Sequence, residues 1–188
     1  MSQRFRIAEG GRIDRETRLS FRYDGHTYDG FGGDTLASAL LANGVHLTGR
    51  SFKYHRPRGI LSSGSEEPNA LVTVGTGGRA TPNLRATQVE LYEGLVAQSQ
   101  NRWPTLQYDA LEIFSAVSRM LPAGFYYKTF MWPASLWTTY ESFIRRAAGM
   151  GKAPEEADPD RYDKTHRHCE VLVVGAGPAG LAAALAAA

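Results

Sequence analysis

The stretch Leu19-Ser20-Phe21-Arg22-Tyr23-Asp24-Gly25-His26-Thr27-Tyr28-Asp29 decides the first half of the fold. Apolar and polar side chains alternate through residues 19–23, which gives an extended segment one apolar face. Asp24-Gly25 then sits between two such runs. An Asp-Gly pair in that place predicts a β-hairpin, because both residues tolerate the positive φ of a two-residue turn. Upstream, residues 1–18 are polar and read as an extended arm or a first strand. Downstream, Gly32-Gly33-Asp34 leads into Thr35-Leu36-Ala37-Ser38-Ala39-Leu40-Leu41-Ala42-Asn43-Gly44. Asp34 or Thr35 can cap a helix there, and Gly44 suits the residue just past its end. Leu36, Ala39, Leu40 and Asn43 fall on one helical face.

A long loop follows. Ala70-Leu71-Val72-Thr73-Val74 then reads as a strand, and Arg85 to Leu91 as another. Hairpin, helix, long loop, strand, strand is the element order of a β-grasp domain, the α+β fold of ubiquitin and plant-type ferredoxins. Residues 1–100 are therefore expected to form a ferredoxin-like β-grasp domain. Residues 101–149 form a helical and aromatic extension, with helix-like stretches at 109–121 and 133–148. Pro133 suits a first helical turn and Gly149 an end. Between them, Phe125, Tyr126, Tyr127, Phe130, Met131 and Trp132 cluster. Such a cluster serves core or inter-subunit packing, or stacks on a flavin or substrate. Residues 150–168 are charged, carry prolines and read as a linker.

The chain closes on Cys169-Glu170-Val171-Leu172-Val173-Val174, then Gly175-Ala176-Gly177-Pro178-Ala179-Gly180, then an alanine-rich run. An apolar β-branched run feeding G-x-G-x-x-G before a helix is the opening βα unit of a Rossmann-type dinucleotide-binding domain. Gly175 allows the tight turn, Gly177 lets backbone approach a pyrophosphate, and Gly180 lets the helix pack closely. The pyrophosphate would sit on the free N–H groups of the helix. The acid that holds the ribose is expected roughly 20 residues beyond the glycines. A lone βα unit also leaves a parallel strand bare. Residues 169–188 thus read as the start of a larger NAD- or FAD-binding domain.

Composition sets bounds. Of 188 residues, 43% are hydrophobic and 21% charged, as in ordinary globular proteins, and nine Tyr, eight Phe and three Trp can fill a core. No apolar run has the length of a membrane span, and Met-Ser-Gln-Arg-Phe-Arg lacks the apolar core of a signal peptide. The single cysteine excludes an internal disulfide and fits a reducing, cytoplasmic setting. A net charge of +2 says little about partners.

The positive charge is concentrated in Thr48-Gly49-Arg50-Ser51-Phe52-Lys53-Tyr54-His55-Arg56-Pro57-Arg58-Gly59. Basic and aromatic side chains interleaved in this way can bind nucleic acid, a cofactor phosphate or an acidic surface, or simply form structural ion pairs. No other nucleic-acid motif accompanies them. Lys53, Arg56 and Arg58 are the candidates for a flavin phosphate or a subunit interface, with Gly49 and Gly59 as flanking hinges. Asp163, His166, His168 and Cys169 have no zinc-motif spacing, and Cys169 is expected to be buried at the start of a strand. No metal site is expected.

Residues 51–71, Ser-Phe-Lys-Tyr-His-Arg-Pro-Arg-Gly-Ile-Leu-Ser-Ser-Gly-Ser-Glu-Glu-Pro-Asn-Ala-Leu, carry a resemblance. They resemble the N-terminal region of α subunits of heterotetrameric sarcosine oxidases, and the likeness runs from the Asp34 helix to the GAGPAG turn. The same region is similar to the ferredoxin-like domain of α subunits of hydrogen cyanide synthase and dye-linked proline dehydrogenase. In those relatives C-x₄-C-x₂-C and a later cysteine hold a [2Fe–2S] cluster. Laid on this chain, the four positions are Ser62, Glu67, Ala70 and Thr87, and none is a thiol. The resemblance therefore implies the ferredoxin shape without an iron–sulfur cluster.

Such oxidases convert sarcosine to glycine, hydrogen peroxide, and formaldehyde or methylene-tetrahydrofolate. In the family the β subunit carries the amine-oxidising FAD and the covalent FMN, which passes electrons to oxygen near the α–β interface. The α subunit binds NAD and ends in a folate-binding domain, and a small subunit carries zinc. The resemblance implies β, γ and δ subunits as partners, no catalytic residue in this stretch, and NAD at Gly175, Ala176, Gly177, Pro178, Ala179 and Gly180. Two alternatives stand beside it: a subunit of a related flavin-dependent amine or imino-acid dehydrogenase, and a non-catalytic assembly module.

Overall fold

The computed structural model describes residues 3–116 and 132–188. A five-stranded sheet is built from β1 (Asp14–Tyr23), β2 (His26–Gly32), β5 (Leu71–Val74), β6 (Thr81–Arg85) and β7 (Val96–Ser99), in the order β2-β1-β7-β5-β6. A separate antiparallel pair of two-residue strands, β3 (Gly49–Arg50) and β4 (Pro57–Arg58), stands apart from it. Helix α1 (Leu36–Ala42) packs against the sheet.

The opening hairpin forms as expected. Phe21 pairs with Tyr28 and Tyr23 with His26, and Asp24 and Gly25 both take positive φ at the turn. That register puts Phe21 and Tyr23 on the buried face. Polar residues 3–13 form an arm, and the strand begins at Asp14.

Thr35 is the cap of α1. Its hydroxyl accepts from the Ser38 N–H at 3.2 Å, and the Ser38 hydroxyl accepts from the Thr35 N–H at 3.0 Å, a reciprocal capping box. Gly44 follows the helix at φ +80°. Asp34, the other cap candidate, turns to Arg6 of the arm: the guanidinium donates to both carboxylate oxygens, at 3.0 and 2.6 Å. Leu36, Ala39 and Leu40 bury completely against Phe21, Val72, Leu95 and Ala97. Each such Leu or Phe contributes about 1.5–3 kcal/mol through lost apolar surface.

Three expectations need correction. The segment from Arg85 to Leu91 is not a strand; β6 ends at Arg85. Beyond it the backbone serves α1 instead: the N–H of Ala37 donates to Ala86 O at 3.0 Å and that of Leu36 to Val89 O at 2.8 Å. First-turn donors need partners, and this segment supplies them. Second, the central strand β7 forms where the local sequence predicts none. It runs parallel to β1 and antiparallel to β5, and Ala-Gln-Ser has no local strand signature.

The third correction concerns residues 170–174. They form no strand, and Val171, Leu172 and Val174 are exposed. A strand exists only beside a partner, and among the described residues none lies alongside. Cys169, expected to be buried there, is exposed. The helix after the glycines does form, over Pro178–Ala187.

Residues 109–116 give a 3-10 turn and a short helix, and residues 134–147 a 3-10 turn running into the helix Trp137–Ala147. The remainder of the first helical stretch and Phe125, Tyr126, Tyr127, Phe130 and Met131 lie outside the described residues; Trp132 is exposed. Residues 150–168 have no regular structure, and Arg79, in the 3-10 turn between β5 and β6, makes an exposed ion pair with Asp160 of this segment. Among the described residues, no helix is long and apolar enough to cross a membrane.

Candidate functional site

The basic loop divides by burial. Arg50 and His55 turn inward. The Arg50 guanidinium donates to the carbonyls of His55 and Leu106 and to the Glu112 carboxylate at 3.0 Å. His55 Nδ1 lies 2.8 Å from Asp109 Oδ2, with both side chains buried. A buried polar group costs stability unless it is partnered, and here four carbonyls and carboxylates provide the partners. Together they clamp the loop onto residues 106–112. Asp109 Oδ1 also accepts the Leu111 N–H, which caps the 3-10 turn.

The other cations remain outside. Arg56 and Arg58 are exposed and Lys53 is half-buried. The Lys53 ammonium and the Arg56 guanidinium both lie over the Tyr54 ring, at 4.9 and 4.8 Å from its centre. Arg58 is not part of that stack. It lines a cleft of about 500 Å³ with Arg50, Phe52, Asn69, Asn101 and Gly149. Of the three predicted cations, the fold therefore brings two together at Tyr54 and places the third at the cleft.

Gly49 and Gly59 are not hinges. A Cβ on Gly49 would stand 2.5 Å from the Asn69 carbonyl oxygen, and one on Gly59 2.5 Å from that of His46. Both are close backbone approaches that hold the loop flat against its neighbours.

Three of the four positions with cluster spacing, Ser62, Glu67 and Ala70, lie in one loop, and Thr87 bonds to that loop from beyond β6. Glu67 is buried and takes its centre. One carboxylate oxygen accepts the N–H groups of Leu61 at 2.7 Å and Ser62 at 2.6 Å, and the other accepts that of Asn69 at 2.8 Å. Thr87 donates its hydroxyl to Gly64 O at 2.7 Å, and the Arg85 guanidinium donates to Glu67 O at 3.2 Å. Ala70 is fully buried beside them. Burial alone would raise the Glu67 pKa. The N–H groups of Ser62, Asn69, Leu61 and Ala70 together outweigh it and hold the carboxyl below its ordinary range. Of the adjacent glutamates Glu66 and Glu67, only Glu67 is buried, a choice made by the fold.

At the glycine turn, Gly175 has φ +113°, and Gly177 is the N-cap of the helix Pro178–Ala187. A Cβ on Gly180 would overlap the Gly175 carbonyl oxygen. Pro178 takes the first turn, where its missing N–H costs nothing. Among the described residues no group of three His, Cys, Asp or Glu side chains could hold a metal ion.

Comparison with known proteins places these features. A family described as a 2Fe-2S iron-sulfur cluster binding domain matches residues 16–102. The donor set does not fit that cluster: the ligand positions hold a hydroxyl, a carboxylate, a methyl group and a hydroxyl, and the one thiol is distant in sequence. The α subunit of sarcosine oxidase from Rhizobium meliloti (strain 1021) is 65% identical over 184 residues, 97% of this chain and 19% of that protein. That from Corynebacterium sp. (strain U-96) is 39% identical over 178 residues, 93% of this chain and 14% of that protein. L-proline dehydrogenase from P. horikoshii aligns over 48% of this chain and 17% of that chain, at 22% identity and a TM-score of 0.37. This chain spans about a fifth or less of the length of the curated relatives it matches. Within that span, the chain is a homologue of the N-terminal part of sarcosine oxidase α subunits.

Proposed function

We propose that the chain is the N-terminal part of the α subunit of a heterotetrameric sarcosine oxidase, acting in the cytoplasm. The assembled enzyme oxidises the N-methyl group of sarcosine with O₂ and water. The products are glycine, hydrogen peroxide and formaldehyde, or methylene-tetrahydrofolate where tetrahydrofolate takes the one-carbon unit. The observation that carries this reading is 65% identity maintained over 97% of the chain.

Residues 1–100 act as a cluster-free β-grasp scaffold. The mixed sheet with β1 and β7 parallel at its centre and α1 packed on it supports that fold. Residues 101–149 extend it, residues 150–168 link it, and residues 169–188 open a Rossmann-type domain for NAD. The left-handed Gly175, the close approach at Gly180 and the Gly177 N-cap support a pyrophosphate seat there. Leu181 and Leu185 are exposed on an apolar helix of the kind that a sheet covers. FAD and FMN belong to the rest of the complex, and no amine-oxidising residue is assigned to this stretch. Lys53, Arg56 and Arg58 face the β subunit or a flavin phosphate; the exposure of Arg56 and Arg58 on a clamped loop supports this.

Co-production of the full-length α chain with its β, γ and δ partners tests the reading. Sarcosine-dependent peroxide formation by the purified complex is expected, and a complex inert to sarcosine refutes the activity. In the same complex, Arg56→Ala with Arg58→Ala should lower flavin retention or assembly. Full flavin content and activity in that variant would refute the docking role.

A further inference from the structure

The 2Fe-2S family fold and this chain's donors disagree, and Glu67 shows how the disagreement is resolved. In a [2Fe–2S] protein the loop closes on an anionic cluster, whose sulfurs accept hydrogen bonds and whose irons bind thiolates from the loop. Here the loop closes on a carboxylate. Its two oxygens accept from Leu61, Ser62 and Asn69, which are N–H donors on both sides of the loop. Such a loop has no strand or helix of its own to satisfy those amides. Thr87, at the fourth ligand position, reaches across from beyond β6 to the same loop through Gly64 O. Ser62, at the first, also turns its hydroxyl toward Glu67, at 3.4 Å.

We infer that Glu67 is the resident anion of this loop: its carboxylate holds residues 61–70 in the shape that a [2Fe–2S] cluster holds in the matched family. The inference is independent of the sarcosine oxidase reading. A carboxylate suits the place because the Leu61, Ser62 and Asn69 N–H groups donate to its two oxygens and favour the charged form while it is buried. Ser62 turns its hydroxyl to this carboxylate, Ala70 lies in the same loop and Thr87 bonds to it through Gly64 O, so the loop is a cluster cradle with its thiolates removed.

Two measurements on the full chain test this. The first is hydrogen exchange resolved to single amides. In the unmodified chain the Leu61, Ser62 and Asn69 amides should be protected; free-loop exchange rates there overturn the inference. In Glu67→Gln, which replaces one acceptor oxygen by a donor, exchange at these amides should accelerate more than tenfold. Amides of β1 and α1 should keep their protection, and Glu67→Asp should recover part of the loss. Unchanged exchange in Glu67→Gln overturns the inference. A Glu67→Gln chain too unstable to measure supports it only if Glu67→Asp folds, and otherwise the unmodified chain decides.

The second measurement restores the thiolates in one chain carrying Ser62→Cys, Glu67→Cys, Ala70→Cys and Thr87→Cys. Anaerobic reconstitution with ferrous iron and sulfide should leave about two irons per chain with the visible bands of a [2Fe–2S] centre. The unmodified chain, treated in parallel, should retain none. A folded four-cysteine chain that retains no iron overturns the cradle.

Discussion

His55 Nδ1 lies 2.8 Å from Asp109 Oδ2, inside the protein and across 54 residues of sequence. This contact holds the basic loop to the segment that follows the sheet. His55 itself sits at φ +50°, a conformation that surrounding contacts must enforce in a non-glycine residue. Asp109→Ala removes the partner of a buried imidazole and the cap of the Leu111 N–H. The expected loss of stability is about 2–3 kcal/mol, read from the urea midpoint at constant slope. A loss below about 0.5 kcal/mol, the range of inert surface changes, would show that the pair does not hold the loop.

Gly49→Ala should destabilise without touching any charge. The added methyl would meet the Asn69 carbonyl oxygen at 2.5 Å, and backbone cannot swing away as a side chain can. A cost of about 1–3 kcal/mol is expected. A thermal melt matching the parent would mean that the approach is looser than 2.5 Å suggests.

Arg6→Ala strips a bidentate partner from Asp34, whose side chain is fully buried. Asp34 keeps two other donors, the Phe31 N–H at 3.0 Å and the Ser38 hydroxyl at 2.7 Å. The loss should therefore fall toward the lower end of the roughly 3–5 kcal/mol seen when a buried pair is broken. Arg6→Ala with Asp34→Asn should cost less than the sum of the two single changes. Strict additivity in the double-mutant cycle would deny the coupling.

Tyr23 gives a pH signature. Burial, with the Asp24 charge adding to it, pushes its hydroxyl far above the ordinary value near 10. The unfolded chain ionises at about 10 while the folded chain stays neutral, so stability is full below that pH. Above it, stability falls by about 1.4 kcal/mol per pH unit until the folded group ionises in turn. Tyr23→Phe should remove one proton's worth of that slope between pH 10 and 11.5, at small cost near neutrality, since the bond to Thr48 O is a long 3.5 Å. An identical alkaline slope in parent and variant, by denaturant titration at each pH, refutes the assignment.

The comparison of strands shows what a sequence can disclose. The hairpin at Asp24-Gly25 is legible because turn chemistry and alternation are local, and the same holds for the Thr35 cap and Gly44. Strand β7 is illegible because Val96–Ser99 becomes a strand only between two others far away in sequence. Residues 86–91 mislead for the opposite reason: they alternate like a strand but bond to the first turn of α1.

The candidate site divides in the same way. The density of cations at residues 50–58 is visible in the sequence, as is the lack of thiols at Ser62, Glu67, Ala70 and Thr87. Which cations face inward is not, because the loop has no period to assign faces. The glycines of the final turn also declare their conformation locally, through Gly175 and Gly180. Sequence alone determined the hairpin, the capped helix and the glycine turn, which depend on side-chain chemistry within a few residues, and the lack of thiols at Ser62, Glu67, Ala70 and Thr87, which is a matter of residue identity. Tertiary structure alone decided that Arg50 and His55 anchor the loop, that Arg56 and Arg58 face out, and that Glu67 fills the cradle. Each of those outcomes depends on where distant backbone donors and acceptors arrive, and a buried charge persists only where they converge.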